Sequence, residues 1–105
     1  MANKPIIVCI IGSSKLKDQI LGLSQRETLK GKIVLAHGFF KQRDMVPITV
    51  KQEEALDDLM LRKIDLADEV LVCNYNGYMG KSTMAGVAYA QLHGDKTVNW
   101  LEPPE

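Results

Sequence analysis

Histidine and cysteine are scarce in this chain. There are two of each, with no Cys-x-x-Cys or His-x-x-x-His spacing, so no metal site is expected. Cys9 and Cys73 each fall inside an apolar run that reads as a strand. That placement favours buried free thiols in a reducing cytosol over a disulfide. No stretch approaches the roughly 20 apolar residues of a membrane span. The apolar run at 5–11 is too short for a secretory signal and reads as a strand instead. Net charge is missing too: thirteen basic residues balance thirteen acidic ones. The balance argues against a nucleic acid polymer or a membrane surface as partner, while leaving room for a local basic pocket. A cytoplasmic protein is the expectation. Repeats, low-complexity segments and linkers are absent, and 105 residues make one domain, 1–105, rather than two.

What is present is an alternation of apolar runs and helical patterns. The 46% apolar fraction is enough for a real core. Residues 5–11 are continuously apolar and β-branched, as in a strand buried on both faces. A helix is predicted over 15–30, with Leu16, Ile20, Leu23 and Leu29 on its apolar side and Gly31 as its stop. A short strand follows at 32–36. The irregular stretch 37–47 carries His37, Phe39 and Phe40. The strongest helix spans 49–68, with Leu56, Leu59, Met60, Ile64 and Ala67 as its buried stripe and Asp57, Asp58, Arg62 and Lys63 on the polar side. A third strand is predicted at 69–74, a loop at 77–82, a helix at 83–93 closed by Gly94, and a fourth strand at 96–101. The expected fold is α/β: a small Rossmann-like domain of about four parallel strands with flanking helices.

In such a sheet the loops that follow the strands share one edge, where ligands bind. That edge should gather Gly12, Ser13, Ser14 and Lys15, then His37, Phe39 and Phe40, then Asn74, Tyr75, Gly77, Tyr78, Gly80, Ser82 and Thr83. Helix N-termini and hydroxyls suit a phosphate or carboxylate, and aromatic rings suit a base. The candidate partner is therefore a nucleotide or nucleotide-derived small molecule. The run Gly77-Tyr78-Met79-Gly80-Lys81-Ser82 is two residues short of a P-loop. A plain turn with a helix cap explains the same residues structurally. Phe39 and Phe40 can equally cover a sheet edge, and Lys15 and Lys81 can equally be solvated. His37 suits acid–base work or a backbone hydrogen bond at a strand end.

The segments 63–72, 76–80, Ser82-Thr83, Ala88-Tyr89-Ala90, His93-Gly94 and 98–102, with 10–18 and 28–34, resemble the nucleoside 2-deoxyribosyltransferase-like superfamily. More narrowly they resemble a small bacterial and phage branch of it, over nearly the whole chain. The resemblance implies a homo-oligomer, nucleoside or nucleoside monophosphate ligands, and cleavage or transfer at the N-glycosidic bond without a cofactor. That chemistry needs a carboxylate nucleophile. The family position for it is occupied here by Gly86, and no carboxylate lies between Glu69 and Asp95. Asp65 matches the second carboxylate and is the candidate catalytic residue, though it also reads as a solvated helix-end charge. Loss of a side chain at 86 is expected to open room beside the loop. The resemblance thus implies a nucleotide-binding protein without glycosidic catalysis, in concrete form a phage anti-defence protein sequestering a nucleotide signal. The alternative is an active nucleoside 2-deoxyribosyltransferase or 2′-deoxynucleoside 5′-phosphate N-hydrolase. A structural or protein-interaction module is the third reading.

Overall fold

The computed structural model describes residues 4–36 and 47–103. Strand β1 is Ile7–Gly12 and passes through one 3-10 turn, Ser14–Leu16, into helix α1, Lys17–Leu29. Strand β2 is Ile33–Leu35 and helix α2 is Val50–Leu66. Strand β3 is Glu69–Cys73, followed by a 3-10 turn at Tyr75–Gly77, helix α3 at Lys81–Leu92 and strand β4 at Thr97–Trp100. The four strands form one parallel sheet in the order β2-β1-β3-β4. This is the expected α/β, Rossmann-like arrangement.

The side-chain alternation of the two central strands divides the core. Val8, Ile10, Leu71 and Cys73 pack with Ile20 and Leu23 of α1 on one face. Cys9, Ile11, Val70 and Val72 pack with Ile64 of α2 and Val87 and Ala90 of α3 on the other. Both cysteines are buried free thiols. No helix of the described residues is long and apolar enough to cross a membrane.

Two expected apolar stripes run differently. In α1 the buried face continues from Leu16, Ile20 and Leu23 to Glu27, so Leu29 lies on the opposite side and is 80% exposed. In α2 only Ile64 is buried; Ala67 just beyond it is buried too, Met60 is partly so, and Leu56 and Leu59 are exposed. The reason is length. A helix of 17 residues spans about 25 Å, whereas the five residues of β3 span about 16 Å. The first half of α2 therefore stands beyond the carboxyl edge of the sheet, where no strand of the described residues lies beneath it. A capping box holds its free end: Gln52 N–H donates to Thr49 Oγ1 at 3.1 Å and Thr49 N–H to Gln52 Oε1 at 2.9 Å.

The opposite, amino edge is tied by charge. Glu27 is 3% exposed and accepts from Lys32 at 2.9 Å, Arg26 at 3.0 Å and Lys30 at 3.1 Å. Lys32 also reaches Glu69 at 2.8 Å, so one ammonium joins α1 to the start of β3. Burial pushes the Glu27 carboxyl up, yet the hydrogen bonds from Lys32, Lys30 and Arg26 outweigh it and hold it down at about 2. Because that lies below the ordinary 4.5, the stabilisation is complete above pH 4.5 and is lost as pH falls towards 2. Urea denaturation across this window should show stability falling with acid. Glu27→Gln should flatten the dependence and cost about 2 kcal/mol at pH 7.

Candidate functional site

The carboxyl ends of β1 and β3 meet side by side, Gly12 opposite Cys73. A Cβ on Gly12 would lie 2.9 Å from the Cys73 Cβ, so this close approach admits only glycine. From here the chain diverges, to α1 on one face and, after β3, to α3 on the other. A crevice between diverging loops is where open α/β sheets bind ligands.

A cavity of about 420 Å³ opens at this point, a volume within the range of small-molecule sites. Of the residues expected at the site, Gly12, Ser13, Ser14, Tyr78, Gly80, Ser82 and Thr83 all line it. Ser13 caps its own turn, its Oγ accepting from the Lys15 N–H at 3.2 Å. The Lys15 ammonium lies 5.5 Å from the centre of the Tyr78 ring, fixing that ring from one side. Gly80 packs beside Ser13, so the two loops meet at the cavity.

Helix α3 starts at Lys81, two residues earlier than the sequence suggests, with Gly80 as its N-cap and no side-chain cap. Ser82 and Thr83 therefore lie inside the first turn and do not cap it, and its backbone N–H groups face the cavity edge uncapped. Thr83 is 1% exposed, lines the cavity, and has no hydrogen-bond partner among the described residues. Every fully inaccessible side-chain polar atom among these residues has a partner. The Thr83 hydroxyl is thus reached through the cavity.

Asn74, Tyr75 and Gly77 shape the loop without lining the cavity. Asn74 is buried and clamps the chain after β4: its Nδ2 donates to the Glu102 carbonyl at 3.0 Å and its Oδ1 accepts from the Glu102 N–H at 2.9 Å. Glu102 in turn accepts from the Asn76 N–H at 2.7 Å. Asn76 and Gly77 take left-handed backbone angles. His37, Phe39 and Phe40 lie outside the described residues.

Asp65 is placed elsewhere. It sits eight residues along α2 from Asp57, about 12 Å away by helical rise, at the amino edge of the sheet. It accepts from the Tyr89 hydroxyl at 2.6 Å, with Arg62 at 3.8 Å. Lys96 donates to the carbonyls of Asp65 and of Ala67 just beyond the end of α2. These contacts explain an acid at a helix C-terminus, and Asp65 does not line the cavity.

Gly86 also differs from expectation. It is buried, and its missing side chain opens no room. An added Cβ would meet Ile11 Cδ1 and Met60 Sδ at 3.3 Å and Ile64 Cδ1 at 3.5 Å. The space is taken by the close packing of α2 on α3, which offsets the helical cost of glycine.

Three charged residues of α2 join the cavity: Asp57 and Lys63, which the sequence pattern placed on the polar side, and Glu53. Their signal was available. Ile64, Met60, Asp57 and Glu53 continue one stripe at helical spacing, so the face that is apolar over the sheet becomes acidic above it. Asp57 Oδ1 accepts from Ser82 Oγ at 3.4 Å. Lys63 donates to the Ala36 carbonyl at 2.8 Å. With Lys81, the lining carries two cations and two carboxylates. Cys9 also lines it, but burial pushes its thiol up to about 12 against the pull of Lys63, so it is no nucleophile at neutral pH. Among the described residues no group of His, Cys, Asp and Glu could hold a metal ion.

Comparisons with protein-family models, with curated proteins and with solved structures find no match.

Two variants test this geometry. Gly86→Ala meets only flexible side-chain ends and gains about 1 kcal/mol in helix propensity, so its stability in urea should stay within about 1 kcal/mol of the parent. Gly86→Glu puts a carboxylate among Ile11, Met60 and Ile64 and should lose more than about 2 kcal/mol. Thr83→Val removes a hydroxyl that has no partner among the described residues, so its unliganded melting temperature should be unchanged or higher.

Proposed function

We propose that this chain is a nucleotide-binding protein of the nucleoside 2-deoxyribosyltransferase-like fold that does not cleave the glycosidic bond. The observation that carries this reading is the uncapped first turn of α3, whose buried Thr83 hydroxyl has no partner among the described residues, lining one cavity together with Ser13 and Ser14. Such a turn offers N–H groups, hydroxyls and partial positive charge to a phosphate. Lys81 adds a full charge, and Tyr78 offers a ring to the base. Gly86, buried against α2, supplies no nucleophile. In its most concrete form the chain is a cytoplasmic phage protein that sequesters a nucleotide signal of host defence. Exposed apolar residues on α2 and α3, Leu59 and Met84 among them, support a homo-oligomer.

A second reading has one observation in its favour. Glu53 and Asp57 bring carboxylates to the cavity that the α3 position lacks. An active deoxyribosyltransferase or deoxynucleoside-monophosphate N-hydrolase would use these rather than Asp65.

A thermal-shift series with ribo- and deoxyribonucleoside 5′-monophosphates, cyclic oligonucleotides and ADP-ribose derivatives tests both. At a hundredfold excess over Kd a true ligand stabilises by about 2.7 kcal/mol, which for this size is a shift of about 10 °C or more. The ligand should be recovered chemically intact. Recovery as free base and sugar phosphate would overturn the binder in favour of the enzyme. Thr83→Val should reduce the shift while leaving the unliganded protein as stable as before.

A further inference from the structure

The cavity is built for a ligand with two unlike ends. At one wall lie the α3 first turn, Lys81 and the Thr83 hydroxyl. At the adjoining wall lie Asp57 and, one turn before it on the same face of α2, Glu53. Carboxylates accept hydrogen bonds and donate none when ionised. A bare anion would gain at the first wall and leave the carboxylates of the second without a hydrogen-bond donor from the ligand. A neutral polyol would leave the positive charge of the α3 turn and Lys81 unmatched. The Asp57 to Ser82 distance of 3.4 Å makes the two walls contiguous, so the ligand's anion and its hydrogen-bond donors must belong to one compact unit.

We infer, resting on the nucleotide-binding reading above, that Asp57 and Glu53 recognise the sugar. The ligand is a ribonucleoside 5′-phosphate whose vicinal 2′- and 3′-hydroxyls donate to these carboxylates while its phosphate takes the α3 turn. Vicinal hydroxyls are a donor pair at fixed spacing that an acidic side chain in an α/β crevice reads well. A 2′-deoxyribose presents one of the two donors and leaves carboxylate capacity unmet, which is how a polar site rejects an analogue lacking a hydroxyl. Tyr78, with the Lys15 ammonium over its ring, lines the same cavity and is the aromatic surface offered to the base.

The test is calorimetric titration of the full chain with paired ribo- and 2′-deoxyribonucleoside 5′-monophosphates and with inorganic phosphate. The parent should bind the ribonucleotide about tenfold or more tightly than its deoxy counterpart, as expected for a hydrogen bond to a charged group. Phosphate alone should bind more weakly than either. Asp57→Asn should remove most of the ribo-over-deoxy ratio by weakening the ribonucleotide, and Glu53→Gln should reduce it. Equal affinity for the two sugars in the parent overturns the inference and leaves nucleotide binding standing. So does a ratio that survives in both variants, even if Asp57→Asn melts earlier, because Asp57 is then only a hydrogen-bond partner of Ser82. Failure of every nucleotide to bind overturns the function proposed above instead.

Discussion

The backbone contact of Gly12 with Cys73 governs the rest of this architecture. Two central parallel strands end together there, and a Cβ on Gly12 would be 2.9 Å from its neighbour. The strands can pair to their last residue because one partner has no side chain. Beyond that point the two loops must part, since α1 covers one face of the sheet and α3 the other. The crevice is the direct consequence of the pairing, and the hydroxyl-bearing residues that follow each strand become its walls.

A mismatch of length supplies the third wall. Helix α2 needs about 16 Å to cover the strands but runs about 25 Å. Its surplus turns have no sheet to pack on, and their inward face turns from Ile64 and Met60 to Asp57 and Glu53. The molecule is thereby polarised. Its amino edge is a belt of satisfied charges, Glu27, Lys32 and Glu69, together with Asp68, which accepts from the Ile7 N–H at 2.9 Å. At the carboxyl edge polar groups face a cavity, and the Thr83 hydroxyl is without a described partner.

Most of the fold was legible because the central strands are apolar, β-branched runs and two of the helices are followed by a glycine. Gly31 and Gly94 both take positive φ where the pattern placed helix ends. The loops of the site were legible for the same reason: in a parallel sheet strand order decides which loops share an edge. Less legible was anything that depends on how far an element extends. Leu56 and Leu59 fit a helical stripe, but a stripe does not say where the sheet beneath it ends. The stripe from Ile64 and Met60 does run on through Asp57 and Glu53, but an acid on it reads as an ordinary solvated charge until the helix is known to overshoot the sheet. Leu29 misled in the opposite way, an apolar residue off the face whose true continuation is the buried, triply paired Glu27.

Gly86 joins these threads. As a gap in a helix it suggests emptiness, yet the gap is closed by Met60, Ile64 and Ile11. The absence of a side chain lets α2 lie close against α3, and one turn nearer the carboxyl edge the same closeness brings Asp57 to Ser82. The two contacts run in parallel along the helix pair: 86 against 60 and 64, then 82 against 57. A bulkier residue at 86 would press the helices apart and withdraw Asp57 from the cavity wall. Glycine at 86 and carboxylates at 53 and 57 are therefore one arrangement. The negative charge in this site arrives from α2, across a helix–helix contact that only a small residue on α3 permits.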